Sequence, residues 1–329
     1  MKIAVKLPDS LKQVMNVFPF LHAVQKELKP ENFHLIGTEE VFPILTLLPF
    51  KAYFHKFDKT NYKNFLDIHR FAVDQKDLSH ADVFFSLTQE PKDHFMTLAF
   101  RGKDRVGYDG VWSSLLLNKK MEYPVALHET ERYFQLLKFY QKQDKMELPK
   151  VRGKELIPPI TDWDESPYIL VNLPYDPINN EIPSDWIEFI NLFEKRRVFV
   201  SVFNAPIDQR KVVIERFLDS LDMPIDIHPF YFEDLTQFAQ MAAFAKGVIA
   251  HNSILTDVST YLGTPSIILY ETGQPQTTAP LYFVGTANIH STSDMTLLKK
   301  KKDNNSQDMV TKFDLGMLFD KAFKFFELE

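Results

Sequence analysis

Two α/β domains in series, each a parallel sheet covered by helices, is the fold this sequence predicts. Three observations predict it. Short apolar strands alternate with amphipathic helices along nearly the whole chain, the pattern of βαβ units and a parallel sheet. The alternation stops over residues 146–166 (MELPKVRGKELIPPITDWDES), where three Pro and many charges break any period, and then restarts. The length, 329 residues, is that of two domains of about 150 residues each.

Residues 2–6 form a short apolar strand. Pro8-Asp9-Ser10 follows as a turn and helix cap, with Asp9 or Ser10 accepting from the free N–H groups of the first turn. A helix over 11–28 sets Val14, Val17, Phe18, Leu21 and Leu28 close to one face, and Pro30 closes it. Residues 33–36 read as a second strand, 37–40 as a helix start, and 52–57 as a third, alternating strand. The run 82–87 (DVFFSL) is nearly all apolar, the mark of a strand buried on both faces. Residues 106–108 make another strand, and 128–143 a helix that opens on His-Glu-Thr-Glu.

After the break, 168–172 (YILVN) is a strand and 183–192 a helix with Pro in its first turn. Strands at 198–202, 247–250 and 266–270 alternate with helices at 208–221, 233–245 and 254–262. The Lys run 299–302, followed by DNNSQ, reads as a solvated loop. The chain closes with an amphipathic helix over about 310–328 that carries Phe313, Leu318, Phe319, Phe323 and Phe326. The domains are therefore placed at 1–155 and 156–309, with the terminal helix over 310–329.

Composition excludes several classes of function. Hydrophobic residues make up 45% and charged ones 25%, which is neither a disordered nor a fibrous chain. Cysteine is absent, so thiol nucleophiles, disulfides, zinc–thiolate sites and iron–sulfur clusters are excluded. Glycine is scarce (10) while Phe is abundant (30), and neither GxGxxG nor GxxxxGK[ST] occurs; phosphate loops of those types are absent, and large apolar side chains are plentiful for two cores. Lys6 and Pro8 interrupt the N-terminus too early for a secretory signal, and no apolar run approaches the ~18 residues of a membrane span. A cytoplasmic chain is expected. Residues 1–160 hold 24 Lys and Arg against 20 Asp and Glu, a net of +4; residues 161–329 hold 14 against 24, a net of −10. A mildly basic first half suits an anionic lipid or an acidic substrate, although ordinary scatter of surface charge gives the same count. The cations are too dispersed for nucleic acid.

In parallel sheets, ligands sit beyond the carboxyl ends of the strands, and with two such domains the default site is a cleft between them. Segments 7–13, 172–181, and 251–257 with 270–280 occupy those ends.

Three stretches together resemble the heptosyltransferases of glycosyltransferase family 9. The first is PFLHAVQKELKPENFHLIGTEE, a Pro-anchored helix and its strand. The second is FRGKDRVGYDGVWSSLLLNKK followed by HETERYFQLLKFY, similar to the family's Arg-x-Gly-Tyr/Phe strand, Leu-Leu-Asn step and His-Glu-x-x-Arg-Tyr helix start. The third, GVIAHNSILTDVSTYLGTPSIILYETGQPQTTAP, resembles a segment with Asp-Ser-Gly-Leu-x-His, then Leu-Gly-x-Pro, then Thr-x-Pro. The resemblance implies a GT-B architecture: two Rossmann-like parallel-sheet domains, with a C-terminal helix that crosses back to the first. It further implies metal-independent transfer of a sugar, typically heptose, from an ADP-sugar to a lipid-linked acceptor in lipopolysaccharide core synthesis. The second domain would bind the nucleotide sugar and the first the acceptor. The nucleotide sugar, such as ADP-heptose, is a substrate and no cofactor is implied; membrane contact would be at most peripheral.

The chain departs from the family where the chemistry should be. Lys12 and Gln13 stand where the family has Gly-Asp and its general base, and an amide takes no proton near neutral pH. Asp9, one helical turn earlier, either substitutes or only caps the helix. Asn180 stands at the position of a diphosphate-binding Lys, with Glu181 beside it, and a carboxylate repels a diphosphate. In Asn252-Ser253-Ile254-Leu255-Thr256-Asp257, Ile254 replaces the Gly that lets backbone N–H groups approach phosphate, and Asp257 replaces the His. Glu271 replaces a further Gly. Ser253, Thr277, Thr278 and Pro280 remain.

The expected donor side is thus Asn180, Asn252, Ser253, Asp257, Thr277 and Thr278. The expected acceptor side is Lys12 and Gln13 with the basic cluster Arg101, Lys103 and Arg105. Two readings stay open: a glycosyltransferase with an altered site, and a non-catalytic relative that serves as a binding or scaffold protein, with a protein partner. Other constellations carry less. Asp162-x-Asp164 lies in the linker rather than after a strand. The His residues show no HExxH, and His55, His69, His80 and His94 are at no ligand spacing. His128, with Glu129 and Glu131, suits the capping and charging of a helix start. No GxSxG or SxxK has a plausible partner.

Overall fold

The computed structural model describes residues 1–58, 60, 62–149, 153, 157, 166–194, 196–221, 226–270, 279–280, 287–291 and 315–328. Thr277, Thr278 and Glu271 lie outside the described residues, as do Asp162 and Asp164. The chain divides into two compact units, Met1–Val151 and Arg152–Glu329.

The first unit runs β1 (Lys2–Lys6), α1 (Leu11–Leu28), β2 (Asn32–Gly37), a 3-10 turn (Glu39–Val41), α2 (Phe42–Leu45), β3 (Tyr53–Lys56) and α3 (Phe65–Asp74). It continues with β4 (Val83–Ser86), α4 (Pro91–Ala99), β5 (Asp104–Tyr108), α5 (Ser113–Leu116), β6 (Lys119–Met121) and α6 (Glu129–Gln141). The strands form one sheet in the order β3-β2-β1-β4-β5-β6. Every pairing is parallel, and Ile3 of β1 stands opposite both Phe33 and Val83. The chain therefore starts in the middle of the sheet, builds outward to one side, and returns to build the other. The switch falls between β1 and β4, and a crevice opens beyond the carboxyl ends of such a pair.

The second unit repeats the plan. It runs β7 (Tyr168–Asn172), α7 (Asp185–Asn191), β8 (Arg197–Ser201), α8 (Arg210–Asp219), β9 (Ile227–Pro229) and α9 (Leu235–Phe244). Then come β10 (Gly247–His251), α10 (Ile254–Tyr261), β11 (Ser266–Tyr270), β12 (Ala287–Ser291) and α11 (Leu315–Phe325). The order is β12-β11-β10-β7-β8-β9, again all parallel, with the switch between β7 and β10.

Local chemistry accounts for most elements. All residues of β4, β7 and β11 are buried, as their apolar runs require for strands covered on both faces. Ser10 caps α1, Asn64 and Asp67 form a capping box on α3, and Asp234 caps α9 through two N–H groups. The sequence pattern does not mark α3, α4, α5, β6, β9 or β12. β6 (KKM) and β9 (IHP) are three-residue edge strands without an apolar run, and Pro229 is tolerated only at an edge.

The terminal helix contributes to the core of the second unit. It packs on α7, and Leu318, Ala322 and the following Phe326 join the core of Ile169, Phe189, Val198 and Ile249. The approach is close enough that a Cβ on Gly247, the first residue of β10, would overlap the Phe326 ring.

Candidate functional site

The carboxyl edge of the first sheet carries charges held in internal pairs. β1 ends on Lys6, whose side chain is fully buried. Its Nζ donates to Asp9 Oδ1 at 2.9 Å and to the Leu7 carbonyl at 2.5 Å, and stands 3.9 Å from Asp93 Oδ1. Asp93, 1% exposed, accepts a 2.6 Å bond from the Thr88 hydroxyl through its other oxygen. A buried ammonium is tolerable only with such partners. Asp9 thus lies at the β1–β4 switch with its side chain 31% exposed, tied to Lys6. The cap of α1 is Ser10, whose Oγ accepts from Gln13 N at 3.3 Å. Ser10 is thus one of the two cap candidates the sequence offered, and the Asp9 carboxylate is bonded to Lys6.

Next to this pair, the first turns of α1 and α6 meet. Glu129, the first residue of α6, accepts from Gln13 Nε2 at 3.0 Å, Asn16 Nδ2 at 2.9 Å and the Tyr133 hydroxyl at 3.2 Å. Burial, with the Glu129 charge as a second cause, pushes the Tyr133 hydroxyl well above the ordinary phenol range, so it stays a donor. His128 caps α6, its Nδ1 accepting from Thr130 N at 3.2 Å, while Glu131 accepts from His128 N. Lys12 is half-buried in the first turn of α1. Gln13 therefore holds a carboxylate that comes from α6. The contact spans 116 positions of sequence, and no local signal marks it.

Arg101 and Arg105 are not part of this edge. Arg101 follows α4 in a left-handed conformation (φ 55°), and Arg105 is the second residue of β5, so both lie at the amino edge of the sheet. The Arg105 guanidinium donates to the carbonyls of Leu116 and Gly102 at 2.8 and 3.3 Å, ordering the β5–β6 connection. Strand direction puts them at the edge of the sheet away from Asp9.

The carboxyl edge of the second sheet carries Asn172, Asn180, Asn252 and Ser253 together with Asp176, Glu181, Asp257 and Arg210. Beyond β10, Asn252 N donates to the Leu269 carbonyl at 2.8 Å, and Ser253 stands at the N-cap of α10 in extended backbone. Ser253 N donates to Thr256 Oγ1 at 3.3 Å. Ile254 is 6% exposed and Asp257 1%, so the first turn of α10 is closed from below. The Asp257 side chain, on the expected donor side, is buried.

At the end of β7, Asn172 Oδ1 accepts from Phe203 N at 2.9 Å and from the Ser201 hydroxyl, which ties two strand ends together. Asn180 has a left-handed backbone (φ 55°), and its Oδ1 accepts a 2.9 Å bond from the Tyr175 hydroxyl. Glu181 is exposed and pairs through its backbone with Asp176. Hydrogen bonds from Ile178 N and the Asn179 amide hold the Asp176 carboxyl below the usual range. A cation the sequence did not single out, Arg210, also lies at this edge. It donates to the carbonyls of Ala205, Phe203 and Phe232 and sits against the Phe203 and Phe232 rings.

Two cavities, of about 480 and 280 Å³, open at the amino edges of the second and first sheets, beside Arg196, Arg197 and Lys246 and beside Asp82, Lys103 and Asp104 respectively. Neither is at the carboxyl edge, where a parallel sheet receives its ligand. Among the described residues, no three His, Asp or Glu side chains gather as a metal site.

Two parallel α/β sheets, each with its ligand edge at a β1–β4 type switch, define a GT-B glycosyltransferase fold. Solved structures agree. A family 9 glycosyltransferase from Veillonella parvula superposes with a TM-score of 0.76 at 12% identity, covering 99% of this chain and 97% of that one. The E. coli heptosyltransferase WaaC with ADP gives 0.68 at 17%, covering 88% and 93%. The E. coli ADP-heptose lps heptosyltransferase II gives 0.65 at 17%, covering 88% and 90%. The sequence pattern of glycosyltransferase family 9 (heptosyltransferase) matches residues 75–308, more than half of the chain. The chain belongs to glycosyltransferase family 9. No curated protein matches it by sequence.

Proposed function

We propose that the protein transfers a sugar from a nucleotide-sugar donor, an ADP-heptose type of compound, to a lipid-linked glycan acceptor of the cell envelope, without a metal. The observation that carries this reading is Asp9. It is a partly exposed carboxylate at the switch point of the first sheet, held in place by Lys6. In this reading an acceptor hydroxyl attacks the anomeric carbon as its proton passes to Asp9. The bond from that carbon to the diphosphate oxygen breaks, and the nucleoside diphosphate leaves. Gln13 and Glu129 orient the acceptor hydroxyls. Ser253 and Asn252, at the N-terminus of α10, hold the donor phosphates with Thr277 and Thr278.

One observation favours a second reading, a family member that binds without transferring. Asn180 stands where the family has a cation, and its amide oxygen is already engaged by Tyr175.

Thermal unfolding against a panel of nucleotides and nucleotide sugars, ADP-heptose included, tests the proposal. Ligand at 100 times its dissociation constant stabilises the fold by about 2.7 kcal/mol, and a clear shift with an ADP compound is the expected result. No shift at millimolar ligand overturns the donor assignment and turns the search to a protein or glycan partner. Given a shift, unchanged turnover in Asp9→Asn overturns the role of Asp9.

A further inference from the structure

We propose that the cavity at the amino edge of the second sheet binds a small phosphorylated metabolite. Arg196, Arg197 and Lys246 would hold the phosphate, and the organic body would lie on the apolar floor beside them. The cavity lies wholly within the second unit, at the edge of the sheet away from Asn252 and Ser253. It is therefore separate from the donor site proposed above and does not depend on it.

Sheet topology assembles this cavity. β7 is a central strand, with β10 on one side and β8 on the other. The starts of all three meet there: Ser166 and Pro167 ahead of β7, Arg196 and Arg197 at β8, and Lys246 ahead of β10. Main-chain bonds fix two of these starts. Lys246 N donates to the Tyr168 carbonyl at 2.8 Å, and Val198 N to the Asp226 carbonyl at 2.9 Å. The remaining wall is the turn that ends α11. Glu327 has a left-handed backbone (φ 53°), and Leu328 N donates back to the Phe323 carbonyl at 3.1 Å, a C-cap that folds Leu328 inward. Ile169 and Leu328, both buried, supply the apolar floor. The volume, about 480 Å³, is within the roughly 300–1,000 Å³ of small-ligand sites, so a phosphate ion alone would leave most of it empty.

The charges that line the cavity favour an anion. Three are cations, against the carboxylates of Asp226 and Glu327. Asp226 is engaged through both oxygens. His228 Nε2 meets one at 2.5 Å and Arg197 Nε donates to the other at 3.0 Å, and these bonds hold its carboxyl below the usual range. The bond to Arg197 also fixes the plane of a guanidinium, whose fork suits phosphate oxygens. Arg196 is fixed as well. Its Nη2 donates to the Leu328 carbonyl at 3.0 Å, and the group stands 5.8 Å from the centroid of the Phe323 ring. Side chains already held in place lose little freedom when an anion arrives. Lys246 is exposed and has no carboxylate partner among the described residues. Glu327, exposed on the terminal turn, suits hydroxyl groups of the organic body.

Calorimetric titration of the full chain at constant low ionic strength tests the proposal, with ribose phosphate, inorganic phosphate and ribose as probes. Ribose phosphate is expected to bind at least tenfold more tightly than inorganic phosphate, and ribose not at all. Added salt should weaken the binding. Lys246→Met, which changes one exposed side chain, should weaken it at least fivefold with an unchanged unfolding midpoint, and Lys246→Arg should keep most of it. Absence of ester binding in wild type overturns the proposal, as does equal binding by Lys246→Met. Inorganic phosphate bound as tightly as the ester gives the cavity to the free ion and overturns the metabolite. If the cations only complement the carbonyl ends of α7 and α9, Lys246→Met loses stability and neither protein responds to ester, which overturns it too. The thermal shift with ADP should be the same in Lys246→Met as in wild type. An ADP shift that this variant abolishes assigns the cavity to the nucleotide and overturns the proposal. Absence of any ADP shift, with ester binding intact, sinks the donor reading alone.

Discussion

The two sheets have the same strand plan and differently built carboxyl edges. In the first, the chain leaves the central strands through Lys6, Asp9, Asp93 and Glu129, and each charge has a partner inside the protein. In the second, it leaves through Asn172, Asn180 and Ser253, with Asp257 buried and Arg210 bound to main-chain carbonyls. A shared scaffold thus fixes where a ligand can sit and leaves the chemistry to the few residues after each central strand. The first edge keeps the means to position a carboxylate. The second places Asn172, Asn180 and Ser253 there, with Glu181 exposed and Ile254 and Asp257 buried in the first turn of α10.

The largest effect should come from breaking the charge cluster of the first edge. Lys6→Met leaves Asp93 buried without its cation and should cost about 3–5 kcal/mol in urea unfolding. Lys6→Met/Asp93→Asn should recover at least half. A loss under about 1 kcal/mol would show that the carboxylates there do not depend on Lys6. On the second unit, Gly247→Ala drives a Cβ into the Phe326 ring and should cost about 1–3 kcal/mol. Adding Phe326→Leu should restore part of it, and no cost at all would mean that α11 gives way freely.

Acid separates the units next. His22 and His34, both in the first, have pKa values lowered to about 4, chiefly by burial, with His55 a further cause for His34. Unfolded, each titrates near 6.5. Between those values the unfolded chain binds the extra protons. The stability these neutral imidazoles contribute is therefore full above pH 6.5 and lost as pH falls toward 4. With partial solvent access, the loss from pH 7 to 5 should be on the order of 1–2 kcal/mol for the pair. Hydrogen exchange should find it in the first unit, and His34→Gln should reduce it. Equal loss in both units would count against this origin. The smallest change in stability belongs to Ser253→Ala, about 1 kcal/mol or less, yet it should remove most of the ADP-induced thermal shift. A full shift in that variant would move the donor phosphates away from α10.

What was legible in the sequence was local. The runs DVFFSL and YILVN declare strands covered on both faces, and Ser10 and Asp234 sit where helix caps belong. Leu262-Gly263-Thr264-Pro265 sets the register of the third family segment, with Gly263 in the left-handed backbone (φ 80°) that its turn needs. The edge strands β6 and β9 escaped because short strands with one neighbour need no apolar run.

By itself the sequence determined two α/β units, their order, and the segments that end the central strands. Apolar periodicity and turn chemistry act over a few residues and are written in the chain. Tertiary structure alone decided that Lys6 is buried between two carboxylates. It decided that Gln13 meets a Glu 116 residues away, that Arg101 and Arg105 lie at the amino edge, and that the last helix covers the second core. Those outcomes depend on which surfaces pack together over long separations, and no short-range pattern encodes that.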